Sequence, residues 1–262
     1  MTLRNFKGAE MSAFLRTALI SALTAVIAAI AIAQDAVTAA TTECKDRQEL
    51  GEDIECLSGM IDEVMFSALL SSDPPKTLVI VEVPGGYVTE ALKISEWIDK
   101  NEISVEISGV CLSACANYLL FADPEVTINR SAFITVHGWP RPLSVNDEAR
   151  VCRNRMEDDL GECIERLRQR RDAESQLFAK RPDAKRLRNY FYGLVARSKS
   201  ASESNCLKKR TCRAEVQINE QNAKAMKILG QATFIGSEPA PDMTCRVWSN
   251  RWFLSVSGEC EL

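Results

Sequence analysis

Apolar and polar positions change rhythm several times along this chain, and the changes mark its elements. Residues Thr77 to Val83 are nearly all apolar and β-branched, the pattern of a strand covered on both faces. Pro84-Gly85-Gly86 breaks the run, and Val88, Ala91, Leu92, Ser95 and Ile98 then recur at helical spacing. Ile103 to Ser108 alternates as a second strand, with Gly109 allowing a turn. Ser113 to Phe121 reads as a buried helix of small residues that Asp123-Pro124 ends, and Phe133 to His137 reads as a third strand. Strand, helix, strand, helix, strand at these lengths implies an α/β fold with right-handed crossovers and a parallel sheet.

The flanks are less regular. Glu43 to Ser72 starts polar and turns helical, with Ile61, Val64, Met65, Ala68 and Leu69 on one face, and Asp73-Pro74-Pro75 stops it. Beyond Pro142, Met156, Leu160, Cys163, Ile164 and Leu167 mark a long, charge-rich amphipathic helix. A further helix is expected from about Asp183 to Leu194, a Ser/Lys-rich loop over Arg197 to Lys209, and a helix over Gln221 to Leu229. The tail after Gly230 looks like short strands clipped by Cys245 and Cys260, and no internal repeat is visible. The chain divides into a signal peptide over 1–33, an α/β core over 34–142, and a segment over 143–262. That last segment, a helical extension with a disulfide-linked C-terminal part, completes the same domain.

The leader rests on three features. Arg4, Lys7 and Arg16 form a basic n-region, Thr17 to Ala33 is an apolar h-region, and Ala31-Ile32-Ala33 is a small-x-small cleavage site before Gln34. Met11 also serves as a start, since Met11 to Arg16 supplies a short basic n-region. A retained membrane anchor is the competing reading, against which the 17-residue h-region is short for a span. Export places the protein in the periplasm or outside the cell.

Charge and cysteine count sharpen this picture. The 262 residues carry 32 Lys and Arg against 36 Asp and Glu, a net charge of −4. Removing the leader takes three basic residues and one acidic residue with it, leaving −6. That balance argues against a nucleic-acid partner, which would require a clustered positive field. The one basic stretch, Arg166 to Arg171, lies in a helical pattern among acidic residues and reads as a solvated face. All 10 cysteines follow the cleavage site, which with export reads as a disulfide framework. Neighbours along the chain suggest Cys44 with Cys56, Cys152 with Cys163, Cys206 with Cys212, and Cys245 with Cys260, although spacing alone does not determine connectivity. No C-x-x-C knuckle exists and the single histidine is far from any cysteine cluster, so no metal site is expected.

Two short segments and that histidine carry the candidate chemistry. A glycine pair at a strand end, Gly85-Gly86, exposes backbone N–H groups that can cradle an oxyanion. By itself such a pair means only a tight turn, but here it follows a buried strand, where α/β sheets place their ligand crevice. Ser113 in Cys111-Leu112-Ser113-Ala114-Cys115 opens a helix. A serine there is commonly just an N-cap; as a nucleophile it would gain from the positive end of the helix dipole. His137 lies 24 residues further on and is the only imidazole available as a base. Alone it would be read as a structural histidine. The three features in this order make the catalytic reading the better one.

With these residues in view, the stretch from Leu78 to Pro140 resembles the Clp protease proteolytic subunit and its relatives in the ClpP/crotonase superfamily. It looks most like an exported branch with a Pro-Gly-Gly loop and a Cys-x-Ser-Ala-Cys serine segment. The resemblance implies a spiral of parallel βαβ units. It further implies Ser113 as nucleophile, His137 in Thr135-Val136-His137-Gly138 as general base, and Gly85 or Gly86 with Ala114 as oxyanion-hole donors. The family's third member, an aspartate beyond the long helix, has no clear counterpart here; Asp172, Asp183 and Asp242 are the candidates. Cysteines flanking the serine depart from the cytoplasmic Clp subunit. Cys111 and Cys115 are either a bond that stiffens the turn or two inert buried thiols. No unfoldase-docking segment is legible, and export argues against acyl-CoA chemistry.

The resulting expectation is an exported serine peptidase-like hydrolase acting on peptide or related acyl bonds, with a peptide or protein substrate and no cofactor. The alternative is a catalytically inactive envelope protein that keeps the fold as a binding or assembly module. Homo-oligomerisation is left open, as is membrane association if the N-terminal helix is retained.

Overall fold

An eight-stranded sheet organises the chain. The computed structural model describes residues 37–123, 125–137, 145–154, 159–197, 212–236 and 245–249. Within them a helix over 37–49 (α1) precedes β1 (Ile54–Ser58), α2 (Glu63–Ser71), β2 (Thr77–Val83), α3 (Val88–Lys100) and β3 (Ser104–Leu112). Then come α4 (Ala114–Tyr118), a 3-10 turn at Leu119–Phe121, β4 (Thr127–Asn129) and β5 (Phe133–His137). They are followed by α5 (Val145–Asn154), α6 (Leu160–Lys180), α7 (Pro182–Arg197), β6 (Cys212–Ile218), α8 (Glu220–Ala225), β7 (Thr233–Ile235) and β8 (Cys245–Ser249). The leader over 1–33, Met156, Cys206, Asp242 and Cys260 lie outside the described residues.

The fold is mixed α/β with a largely parallel sheet, in the order β1-β2-β3-β5-β6-β8. The first four strands of that path run parallel, as the strand–helix–strand pattern predicts, while β6 and β8 are antiparallel additions. One edge of β3 is shared between two neighbours. Glu106 and Ile107 pair with β4, whereas Val110 to Leu112 pair with β5. The sheet therefore forks along β3, and β4 carries β7 on its far side.

Burial follows from the apolar runs. Leu78, Ile80 and Val83 of β2, Val105 and Ile107 of β3, and Ile134 and Val136 of β5 form one continuous core. They pack with Ile94 and Ile98 of α3, Leu119 and Leu120 behind α4, Phe178 of α6 and Leu187 of α7. Each fully buried Leu or Ile contributes roughly 1.5–3 kcal/mol relative to an exposed one. Val79 and Val81 alternate to the other side of β2 and join Ala40, Cys44 and Ile54 in a second cluster under α1. An ion pair fastens α1 there: Arg47 Nη1 donates to both oxygens of the mostly buried Glu106, at 3.0 and 2.8 Å, and the Ser108 hydroxyl donates to the same carboxylate at 2.6 Å.

Several expectations are corrected. Glu43 to Ser72 is not one helix following a polar lead-in: it contains the end of α1, the strand β1 and then α2. β1 is covered by a single-strand pairing and a disulfide, Cys44–Cys56, rather than by an apolar run of its own. Ile61 is not on the face of α2; it forms a parallel bridge with Gly86. Gly109 does not end β3. It sits inside the strand at a register slip against β2, where an added Cβ would lie 2.0 Å from the Val81 carbonyl oxygen, so only glycine fits. The helix after Ser113 is one α-turn followed by a 3-10 turn, not continuous to Phe121.

Candidate functional site

The carboxyl ends of three neighbouring parallel strands, β2, β3 and β5, meet at one place. Val83 pairs with Cys111, and Leu112 pairs with Thr135, so the residues that follow these pairs emerge side by side. They are Gly85 after β2, Ser113 after β3, and His137 at the end of β5. This is the edge where open α/β sheets form their crevice.

Gly85 is pressed against the serine turn. Its φ is +109°, and an added Cβ would lie 2.6 Å from Ser113 Cβ, 2.9 Å from the Leu112 carbonyl oxygen and 3.2 Å from the Ala114 nitrogen. The backbones of Gly85 and of Ser113–Ala114 therefore run at a separation that no side chain would permit. Gly86 lies equally close to a second segment: its φ is +150°, and an added Cβ would be 2.1 Å from the Ile61 carbonyl oxygen. Ile61 N–H donates to the Gly85 carbonyl and Tyr87 N–H donates to the Ile61 carbonyl, each at 2.8 Å. Neither of these bonds uses the N–H of Gly85 or Gly86.

Ser113 is held in an unusual conformation. Its φ of +55° with ψ of −119° is a left-handed geometry for a residue with a side chain, which costs on the order of 1–3 kcal/mol and is typical of strained functional turns. Its N–H donates to the Thr135 carbonyl at 3.0 Å, and its own carbonyl accepts from Asn117 N–H at 2.8 Å. Ser113 occupies the N-cap position of α4, yet its side chain makes no capping hydrogen bond. The hydroxyl is thus not used in the way an N-cap serine normally uses it. The expected dipole contribution is small, because α4 spans only five residues. Cys111 and Cys115 are bonded to each other across this turn, and both are fully buried. The open question of bond or thiols is thereby answered.

His137 is half-buried at the end of β5. The Asn117 side-chain amide donates to the His137 carbonyl at 3.2 Å, so α4 and β5 are joined by two hydrogen bonds, at Ser113–Thr135 and Asn117–His137. Below this point the Tyr118 hydroxyl donates to buried Glu174 of α6 at 2.5 Å, with Arg170 of α6 at 3.6 Å from the same oxygen. Burial first, and then the Glu174 charge, push the Tyr118 hydroxyl well above its ordinary range, so it stays protonated.

Two of the acid candidates are not at this site's strand ends. Asp172 is an exposed residue of α6 beside Arg171, and Asp183 opens α7 and pairs with Arg186 at 3.3 Å. Asp242 lies outside the described residues. The carboxylate-bearing residue directly opposite His137 in the antiparallel β5–β6 ladder is Glu215. Neither Glu215 nor Asn117 was legible as a site residue from sequence. Cys212 to Ile218 alternates apolar and polar residues, which marks a strand but not which strand end it faces, and an asparagine in a short buried helix looks like any other.

The arrangement brings the Ser113 turn, the glycine pair and the strand end that carries His137 to neighbouring positions along one edge of the sheet. That is equipment for nucleophilic attack on a carbonyl with stabilisation of the resulting oxyanion.

Neither a family model nor a curated protein matches this chain. Among solved structures it is similar to the ClpP protease catalytic domain from Plasmodium falciparum, with a TM-score of 0.36 and 14% identity, covering 72% of this chain and 88% of that one. It is also similar to a mutant of the membrane-bound stomatin-specific protease, with a TM-score of 0.26 and 12% identity, covering 43% of this chain and 67% of that one.

Proposed function

We propose that this chain is a ClpP-like serine hydrolase of the bacterial envelope, acting on peptide or related acyl bonds. Ser113 Oγ attacks the carbonyl carbon, and His137 accepts the hydroxyl proton as the new C–O bond forms. The N–H groups of Gly85 or Gly86 and of Ala114 stabilise the oxyanion. His137 then returns the proton to the leaving group, and water hydrolyses the acyl-serine by the same steps in reverse order. The observation that carries this reading is the contact between Gly85 and Ser113. A positive-φ glycine backbone packed against a positive-φ serine, at the ends of adjacent parallel strands, supports a turn shaped to present the serine beside backbone N–H groups.

Substrate character follows from the rim. Met60 and Tyr87, which flank the Ile61–Gly86 bridge, and Val64 on the first turn of α2 are well-exposed apolar side chains. They suit a substrate with apolar side chains beside the scissile bond. Three disulfides, Cys44–Cys56, Cys111–Cys115 and Cys152–Cys163, are compatible with an oxidising compartment.

The test is covalent labelling of the purified protein with a serine-reactive phosphonate, read by intact mass. The wild type should gain one adduct at Ser113. Ser113→Ala should abolish it and His137→Ala should strongly suppress it, with circular dichroism unchanged. No adduct in a folded wild type would leave the non-catalytic binding or assembly module. Export is tested separately: protein recovered from its own host should begin at or near Gln34.

A further inference from the structure

The geometry points to the Cys111–Cys115 disulfide as the positioning element of the serine turn: it holds Ser113 in its left-handed conformation and makes reactivity at Ser113 conditional on that bond being oxidised. The inference rests on Ser113 being the nucleophile of the reading above.

Loop length separates this bond from the others. Cys44–Cys56 and Cys152–Cys163 enclose separations of 12 and 11 residues, whereas Cys111–Cys115 encloses only 4. Cross-linking restrains an unfolded chain less as the enclosed loop shortens. A bond across four residues therefore adds least to global stability, and its effect is local. What it encloses is the transition from β3 to α4, with Ser113 at its centre.

The other restraints on Ser113 act through its backbone. They are its N–H to Thr135, its carbonyl from Asn117, and the approach of Gly85. The disulfide alone joins the two flanks of the turn covalently, from the last residues of β3 to the first turn of α4. With the bond open, those flanks can separate, and Ser113 can leave a backbone region that its own Cβ disfavours. Its hydroxyl would then move away from the Gly85 backbone.

Opening the bond is a two-electron reduction. A dithiol reductant gives up two electrons and two protons, becomes a disulfide itself, and leaves Cys111 and Cys115 as thiols. Both sulfur-bearing residues are fully buried, so exchange in the folded protein is slow. The bond is accordingly set once, on folding in an oxidising compartment. A chain that folded in a reducing one would carry the same residues with an unbraced serine.

The experiment compares the wild type with Cys111→Ala/Cys115→Ala, and with Cys44→Ala/Cys56→Ala as a control that removes a disulfide away from the turn. Three quantities are read: the phosphonate labelling rate, kcat and KM on a peptide ester, and hydrogen exchange at the Ser113 and Asn117 amides. The turn variant should keep its circular dichroism and its KM while labelling rate and kcat fall about tenfold or more. Its Ser113 amide should exchange about tenfold faster or more. The control should melt earlier yet label at the wild-type rate. A folded turn variant with wild-type labelling and unchanged Ser113 exchange overturns the inference. Should that variant not fold, Cys111→Ser/Cys115→Ser, which keeps the size of both side chains, lacks the bond and leaves the other disulfides intact, decides by the same Ser113 exchange: faster supports the brace, unchanged overturns it. A wild type that never reacts with phosphonate removes the hydrolase reading, and the exchange comparison still judges the brace on its own.

Discussion

The Asn117 side-chain amide donates to the carbonyl oxygen of His137 at 3.2 Å, tying the helix that follows Ser113 to the strand end that carries the imidazole. Asn117 is almost fully buried, and its Oδ1 has no hydrogen-bond partner among the described residues, so its amide serves that one carbonyl. Asn117→Asp keeps the shape and turns the donor into an acceptor that faces a carbonyl oxygen. Steady-state kinetics on a peptide ester should show kcat lowered about tenfold or more with KM unchanged, since the loss is of alignment rather than binding. An unaltered kcat would mean that this contact does not position the base.

Gly85→Ala should damage the Ser113 turn directly. The added Cβ meets Ser113 Cβ at 2.6 Å and backbone on both sides, at a φ that alanine rarely adopts. Phosphonate labelling should drop by about 10²-fold or more, the scale of losing an oxyanion donor, and the melting temperature should fall with it. Gly230→Ala, where an added Cβ meets nothing within 4 Å, is the matched control and should change neither.

Glu215→Gln separates a working acid from an incidental neighbour. Glu215 is the register partner of His137, and an acid opposite the base would orient its ring and stabilise the imidazolium. The amide should lower kcat by about 10²-fold, while Asp172→Asn and Asp183→Asn should leave it near wild type. Equal activity in all three variants would show that none of these three carboxylates supports His137 and would leave Asp242 as the remaining candidate.

Tyr118 gives the chain a defined alkaline weakness. Its hydroxyl is held protonated well above its ordinary range, chiefly by burial and then by Glu174. The unfolded chain loses that proton near pH 10, so the folded state binds more protons above it, and stability present at neutral pH is lost as pH rises past about 10. Urea unfolding as a function of pH should show this decline in the wild type and a flatter one in Tyr118→Phe. At neutral pH the same variant should be destabilised by about 1–3 kcal/mol, because it withdraws the hydroxyl bonded to buried Glu174.

The central strands were readable in the sequence because burial on both faces leaves an unbroken apolar record, as in Thr77 to Val83, and β5 was marked out in the same way. The elements that escaped are those whose stability comes from elsewhere. β4 has three residues, and a covering neighbour on each side does the work. β1 is a mixed sequence that becomes a strand by pairing with β2, whereas β6 alternates apolar and polar residues from Cys212 to Ile218, a pattern that marks a strand but not its antiparallel partner. Gly109 illustrates the reverse difficulty. A glycine for close approach and a glycine for a turn look alike in one dimension, and only the Val81 carbonyl beneath it decides. Ser113, His137 and the glycine pair could be singled out because their residue types carry chemistry. Asn117 and Glu215 could not, because what distinguishes them is the register of the strands and helix around them.

The described disulfides also determine how the polypeptide comes apart. Cys44–Cys56 and Cys111–Cys115 close before residue 116, Cys152–Cys163 opens after residue 151, and the four other cysteines all follow residue 200. No intrachain bond within this set spans the stretch between Cys115 and Cys152. One proteolytic cut after His137 and before Cys152 would yield two polypeptides that run separately on a gel without any reductant. One fragment would hold Ser113, His137 and the glycine pair; the other would hold α6, α7 and β6, joined to the first by the β5–β6 and β4–β7 ladders, by ion pairs such as Arg130–Glu220 and Asp99–Arg181, and by core packing. The molecule is thus divisible into a half that carries the candidate site and a half that supports it, which makes it a natural subject for reconstitution from separately prepared fragments.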